Sequence, residues 1–252
     1  MKKTFLFIAT FLALSPLFYS CKGETKKVIE TETVEENSED SEEVTSVMTL
    51  EDQAKLTPLI VLDQLKAGNV RFVNNETTTR NYREQVKKTE DSQYPKAYIL
   101  SCIDSRIPVE EVFDQGIGDI FVGRVAGNFI NTDQLGSMEF AAKVAGSKLL
   151  VIMGHKSCGA VKGAIDKAEL GNLTSLLENI QPAIIATSEP TEITARTSKN
   201  ANFVDSVIEN NVKLNIEKLY AQSPVLADMV EKGELKVVGA NYDLATGKVT
   251  FY

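Results

Sequence analysis

Three short apolar runs occupy the middle of the chain, at residues 97–102, at the start of residues 119–128 and at residues 147–155. Segments with helical spacing follow the last two, at residues 132–146 and 157–171. Apolar runs of this length are typical of buried strands, and strands alternating with helices form parallel sheets covered on both faces. The pattern therefore predicts an α/β fold with a mostly parallel central β-sheet flanked by helices.

The ends of this region extend the same prediction. Residues 56–75 have helical spacing, with Thr57 as the cap and a break expected at Gly68-Asn69. A long helix is predicted over residues 201–222. The last nineteen residues, 234–252, indicate a strand, a turn around Thr246-Gly247 and a final strand.

Residues 1–20 have the pattern of a signal peptide: a basic start followed by an apolar run too short to span a membrane comfortably. Ser20 directly before Cys21 resembles a bacterial lipoprotein signal, in which Cys21 is lipidated. We expect an exported lipoprotein, held on the periplasmic or outer-surface side of a membrane by its N-terminal lipid alone. Phe18 and Tyr19 are bulky for that signal, so ordinary cleavage to a soluble secreted or periplasmic protein stays open as the alternative.

Residues 21–52 are predicted to be an acidic flexible tether, and residues 53–252 the catalytic domain. Residues 24–52 carry 11 acidic and 2 basic side chains, whereas the chain from residue 53 carries 24 and 22. The tether has too little apolar surface to offset the entropy of ordering it. The nearly neutral domain has no long basic block, which argues against nucleic acid as a partner.

Reactive side chains cluster where two of the predicted strands end. Cys102 and Asp104 follow the first apolar run, while His155, the only histidine, ends the third and lies three residues before Cys158. The carboxyl ends of parallel strands share one edge of a sheet, so these groups are expected to meet. Two sulfurs, one imidazole and a possible carboxylate oxygen form a zinc ligand set. Buried structural cysteines, or a disulfide between Cys102 and Cys158, are the alternatives.

The segments CIDSR (102–106) and GHKSCG (154–159) resemble the motifs of β-class carbonic anhydrases, and the similarity extends over residues 53–252. The resemblance implies one Zn²⁺ per chain, held by Cys102, His155 and Cys158. It also implies that Asp104 either takes the fourth metal position or pairs with Arg106. The implied reaction is the reversible hydration of carbon dioxide to bicarbonate and a proton, by attack of zinc-bound hydroxide.

The resemblance further implies a pocket for carbon dioxide and bicarbonate. Gln93 and the backbone of Gly159 match groups that bind substrate in the family, and Phe121 matches an aromatic that lines a neighbouring protomer's pocket. Phe140 stands where one branch often has tyrosine. Because family sites are built across a subunit boundary, a homodimer or higher homo-oligomer is expected.

One branch of the family is inhibited by bicarbonate bound near a Trp-Arg pair. This chain has no tryptophan, and Ile99 stands at the matching position, although Arg124 is present. We therefore expect this allosteric site to be absent and the response to bicarbonate to be non-cooperative.

Two other functions stay open from the sequence. The same scaffold is compatible with hydrolysis of carbonyl sulfide or carbon disulfide. A catalytically closed zinc-binding sensor or structural module is the second alternative, with Asp104 permanently on the metal. Arg106 argues against the closed module, because a permanently bound carboxylate needs no other partner.

Overall fold

A five-stranded sheet, ordered β2-β1-β3-β4-β5, forms the centre of the computed structural model, which describes residues 43–252. The strands are β1 (Ala97–Ser101), β2 (Ile120–Arg124), β3 (Leu149–His155), β4 (Lys236–Tyr242) and β5 (Val249–Phe251). The first four are parallel and β5 pairs antiparallel with β4. The predicted fold class and the strand-turn-strand ending are confirmed.

Ten α-helices accompany the sheet in the described part of the chain. They are α1 (Leu50–Ala54), α2 (Pro58–Val73), α3 (Tyr82–Lys88), α4 (Val109–Val112), α5 (Thr132–Glu139), α6 (Gly159–Ile165), α7 (Gly171–Glu178), α8 (Gln181–Ala186), α9 (Ala201–Gln222) and α10 (Pro224–Glu231). A π-helical turn at Phe140–Val144 extends α5, and a 3₁₀ turn covers Ile193–Ala195. Within these residues, no helix combines the length and hydrophobicity that a membrane crossing needs.

The sheet is buried on both faces, as its apolar strands require. Side chains alternate along a strand, so Ile99 packs with α2 and α4 on one face while Leu100 packs with α5, α9 and α10 on the other. Because helices cover both faces, reactive polar side chains are placed at the carboxyl ends of β1 and β3.

The helix predicted over residues 56–75 forms, but the expected break at Gly68-Asn69 is wrong. Helix α2 runs through both residues to Val73. Gly68 lies so close to the carbonyl oxygen of Phe113 that a Cβ atom would stand 1.9 Å from it. The Asn69 side chain donates to the carbonyls of Val112 and Gly247. Both residues therefore serve tertiary packing and not helix termination.

The structure also differs from the prediction of a tether reaching residue 52. Residues 1–42 lie outside the described residues, but Val44 already pairs with Arg80 in an isolated β-bridge. Helix α1 then begins at Leu50, capped by the Thr49 hydroxyl, which accepts from the amide of Asp52. The folded domain therefore includes at least ten residues that composition alone assigned to the tether.

Two predicted helices are shorter than their sequence patterns. The segment 132–146 divides into α5, capped by Asn131, and the π-helical turn, and Gly146 follows with a φ of +81°. The segment 157–171 forms only α6, because Lys167 adopts a left-handed φ of +53° soon after it.

Candidate metal centre

Three ligand side chains meet at the carboxyl edge of the sheet. Cys102 follows β1 directly, His155 is the last residue of β3, and Cys158 caps the N-terminus of α6. A left-handed φ of +56° at Ser157 turns the chain from His155 towards Cys158. One sulfur or ring nitrogen from each of the three residues lies within 4.8 Å of the others, and all three residues are buried. The structure therefore brings together the predicted Cys-His-Cys set.

The two sulfurs are free thiols, which removes the disulfide alternative. Their sulfur atoms are 4.0 Å apart, about twice the length of a disulfide bond. The hydrogen bond with Cys158 lowers the pKa of the Cys102 thiol to about 4. Cys102 and burial in turn raise the pKa of Cys158. Without a cation, the pair therefore favours one thiolate and one thiol, and a bound cation would be needed for both sulfurs to ionise. This pair fits a thiolate-binding metal such as zinc.

The imidazole of His155 is oriented as a metal ligand. Its Nδ1 lies 3.0 Å from the carbonyl oxygen of Lys156, which can only accept, so Nδ1 carries the proton. The Nε2 atom is buried and has no hydrogen-bond partner in the described part of the chain. A buried nitrogen lone pair is costly without a partner, and a metal ion held with the two sulfurs would supply one.

Asp104 lies beside the three ligands but is held by Arg106. Arg106 donates from Nε to Oδ1 at 2.9 Å and from Nη2 to Oδ2 at 2.7 Å, and its amide also donates to Oδ1. These hydrogen bonds keep the pKa of Asp104 well below its usual range, so the carboxylate is ionised. Oδ2 stands 4.0 Å from His155 Nε2. The carboxylate is therefore close enough to act at the metal centre and is bound to Arg106 in this structure.

Arg124 has a positioning role that sequence reasoning missed. From the end of β2 it donates to the main-chain carbonyls of Cys102 and Asp104. It thereby holds the backbone that carries Cys102 and Asp104. Ile99, at the position matched to the family's tryptophan, is fully buried in the sheet core.

Gly127 is a second residue that the sequence analysis did not single out. Its amide donates to Cys102 Sγ at 3.4 Å. Gly127 has a φ of +80° and Asn128 a φ of +40°. A Gly-Asn pair directly after a predicted strand is a turn signal, and that signal could have drawn attention to this loop.

Of the predicted pocket residues, only Gly159 lies at the metal centre of its own chain. It begins α6 next to Cys158, and a Cβ there would meet nothing within 4 Å. Gln93 is exposed before β1, at the strand end opposite Cys102; β1 alone spans about 13 Å. Phe121 pairs in register with Tyr98, and its ring lies 6.2 Å from that of Phe140. One chain therefore does not bring Gln93, Phe121 or Phe140 to its own metal centre.

Comparisons with known proteins agree with this site. A family model described as carbonic anhydrase matches residues 97–249. The chain is 34% identical to a carbonic anhydrase of Mycolicibacterium smegmatis over 76% of this chain and 92% of that protein. It is 32% identical to carbonic anhydrase 2 of Mycobacterium tuberculosis, over 76% and 91%.

A solved β-carbonic anhydrase of Aspergillus fumigatus is 27% identical, with a TM-score of 0.59 over 76% of this chain and 88% of that one. The motifs, the fold and the Cys-His-Cys site thus agree with the sequence comparisons. The chain belongs to the β-carbonic anhydrase family of zinc enzymes.

Proposed function

We propose that this chain catalyses the reversible hydration of carbon dioxide with its metal centre in the open arrangement, in which Asp104 pairs with Arg106. The observation that carries the proposal is the bidentate Asp104–Arg106 pair beside the Cys-His-Cys set. A carboxylate already held by two guanidinium hydrogen bonds would leave a metal ion held by the other three residues accessible to solvent.

The metal ligands, Asp104 and Arg106 have separate roles in the proposed reaction. Cys102, His155 and Cys158 would hold the zinc ion. Zinc, when bound, supplies Lewis-acid activation of water near neutral pH. Ionised Asp104 is placed to accept a hydrogen bond from the reacting water and so direct its lone pair towards carbon dioxide. Arg106 keeps that carboxylate charged and oriented.

The proton must leave without a second imidazole. His155 is the only histidine in the sequence, and its Nδ1 proton is held by the Lys156 carbonyl. Water, buffer or a carboxylate therefore carries the proton away. We expect the rate at high substrate to depend on buffer concentration.

A closed, non-catalytic zinc module is less well supported, because Asp104 is paired with Arg106 in this structure. The relatives reported above are named carbonic anhydrases, which favours carbon dioxide over carbonyl sulfide or carbon disulfide. Stopped-flow hydration of carbon dioxide together with a zinc assay separates these functions. Zinc-loaded protein without hydration activity, or with faster turnover of carbonyl sulfide, would contradict the proposal.

We also propose that the enzyme works as a homodimer or larger homo-oligomer. Strand β2 is an edge strand of the sheet, and Phe140 is 52% exposed although its ring meets that of Phe121 edge to face. Gln93 reaches a metal centre only if a second copy supplies that centre. A solved structure of two β-carbonic anhydrases from Sordaria macrospora, of the same fold, describes them as tetrameric. Light scattering on wild type and Phe140→Asp tests this, and a monomeric, fully active wild type would contradict it.

We also propose that the protein is exported and lipidated at Cys21. They are supported by the basic start, the apolar run and Ser20-Cys21. In a bacterial host, wild type should enter the membrane fraction and Cys21→Ser should not. Release of both proteins as soluble, cleaved protein would favour the secreted alternative.

A further inference from the structure

The loop between β2 and α5, residues 125–130, supplies a backbone N–H that donates a hydrogen bond to Cys102 Sγ. Within the described residues, no other hydrogen bond to this sulfur comes from a backbone amide outside residues 101–106. The donor in the loop is Gly127, at 3.4 Å. The amide of Asn128 donates to the Val125 carbonyl and closes the turn. The direction of the Gly127 N–H therefore depends on how this loop is held.

Helix α9 holds the loop through three side chains spaced along one face. Asn211 Nδ2 donates to the Gly127 carbonyl at 2.8 Å. Asn215 Oδ1 accepts from the Ile130 amide, and Lys218 Nζ donates to the Ile130 carbonyl, both at 2.6 Å. The three positions i, i+4 and i+7 face the same side of a helix.

The two asparagines also orient each other. Asn215 Nδ2 donates to the main-chain carbonyl of Asn211 at 2.7 Å and to the side-chain Oδ1 of Asn211 at 3.2 Å. With Oδ1 of Asn211 occupied in this way, its Nδ2 is directed at Gly127. The amide orientation therefore follows from the hydrogen bonds and is not arbitrary.

Burial makes these side chains unusual. Asn211 is 2% exposed and Asn215 is 5% exposed, on a helix that otherwise buries Val207, Ile208 and Val212. A buried amide is costly unless it is paired. Here each amide is paired with the loop or with the other asparagine. Neither belongs to the metal-ligand set, so the mechanism above does not use them.

We propose that Asn211, supported by Asn215 and Lys218, is a positioning residue for the metal centre. It holds the Gly127 carbonyl and so fixes the conformation of this residue, whose N–H, in the preceding peptide unit, supports the Cys102 sulfur as a zinc ligand. Outer hydrogen bonds of this kind orient metal ligands and affect metal affinity. The proposal rests on the zinc site of the proposed function.

The test compares Asn211→Leu with the matched control Asn210→Leu. Leucine keeps the branched shape of asparagine at Cγ and removes the donor. Asn210, the adjacent residue of α9, donates to Thr187 Oγ1 and not to the 125–130 loop. Two quantities are measured on purified full-length protein: zinc affinity by competition with a chelator, and amide hydrogen exchange of residues 125–130.

We expect N211L to bind zinc about tenfold more weakly and to exchange faster in the 125–130 loop, as typical outer-sphere effects indicate. N210L should match wild type in both measurements. Faster exchange in N211L with unchanged zinc affinity would overturn the proposal, because the asparagine would then hold only the loop. Equal losses in N210L and N211L would also overturn it.

A second variant keeps the test decisive if N211L does not fold. Lys218→Met keeps the aliphatic stem and removes only the donor to Ile130, and we expect a smaller loss of zinc affinity in the same direction. Unchanged affinity in K218M, with N211L unfolded, would overturn the proposal. Wild type that binds no zinc would refute the proposed function as well. Zinc-binding, active wild type with unaltered variants would refute this inference alone.

Discussion

Two aspartates lie ten residues apart after β1, and both carboxylates are bound by arginine. Asp104 pairs with Arg106, two residues further along, whose side chain is 60% exposed. Asp114 is fully buried and binds Arg71 and Arg80, which come from α2 and from the segment before α3. The Thr78 hydroxyl and amide also donate to Asp114.

The difference separates a carboxylate that can change partner from one that cannot. An ion pair with an exposed arginine contributes little to stability, so Asp104 can leave Arg106 at small cost. A buried carboxylate surrounded by charged donors cannot lose its charge without leaving those donors unpaired. We therefore expect Asp104 to serve the proposed reaction and Asp114 to hold the folded domain together.

Asp114→Asn should give the largest change. Two arginines would lose their counter-charge, and we expect a destabilisation of about 3–5 kcal/mol in urea unfolding. Burial opposes ionisation of Asp114, but hydrogen bonds from Arg80, Arg71 and Thr78 lower its pKa overall. Its contribution is therefore present above about pH 4 and is lost as the pH falls through the folded-state pKa.

The difference between wild type and D114N should accordingly shrink below about pH 4. The folded, zinc-loaded variant should keep wild-type activity. A variant as stable as wild type at pH 7 would show that the buried cluster is not structural.

Asp104→Asn should lower activity strongly and stability little, the reverse of what we expect for Asp114→Asn. We expect carbon dioxide hydration to fall about a hundredfold, because an amide orients the reacting water poorly. The free energy of unfolding should change by about 1 kcal/mol or less, and zinc content should stay near one per chain. Activity within twofold of wild type would remove Asp104 from the mechanism.

Arg106→Lys should have a smaller effect. Lysine keeps the charge but cannot make two parallel hydrogen bonds to Asp104. We expect about a tenfold loss in kcat/KM with unchanged zinc content, measured by stopped flow. If R106K lost its zinc instead, Arg106 would be acting on the metal site and not on Asp104.

The smallest difference is expected in how the hydration rates of wild type and D104N depend on pH. The pKa of Asp104 lies well below its usual range because of Arg106, so this carboxylate is ionised throughout the neutral and alkaline range. Two thiolates neutralise more of the charge of zinc than imidazoles do, so water is activated less at neutral pH. We expect the hydration rate to rise from pH 7 to pH 9, and the residual rate of D104N to rise in parallel. A flat wild-type profile, or a rise lost in D104N, would contradict this.

Local patterns were sufficient wherever the decisive contacts are close in the chain. Helix α9 spans the predicted residues 201–222, because its apolar spacing and its Asn200 cap lie within the segment itself. Two residues of separation made a pairing of Asp104 with Arg106 possible, although the sequence left open whether Asp104 binds the metal instead. Cys102, His155 and Cys158 could be grouped because strands of a parallel sheet share one carboxyl edge.

Long-range contacts were not predictable in the same way. Gly68 and Asn69 have the composition of a helix break, yet close packing on Phe113 and side-chain bonds to Val112 and Gly247 keep them helical. The segment 43–52 has the composition of a tether, yet its Val44 pairs with Arg80. Gln93 matches a substrate-binding residue, yet it lies at the strand end away from its own metal centre.

By itself, the sequence determined the α/β architecture and placed the candidate metal ligands at one edge of the sheet, since hydrophobic periodicity and short spacings are local properties of a chain. Only the tertiary structure decided that Asp104 is bound by Arg106 beside the ligands, that Asp114 is enclosed by two arginines, and that Asn211 reaches Gly127. The contacts of Asp114 and Asn211 join residues that packing brings together across tens of positions, and no local pattern records which partners will meet.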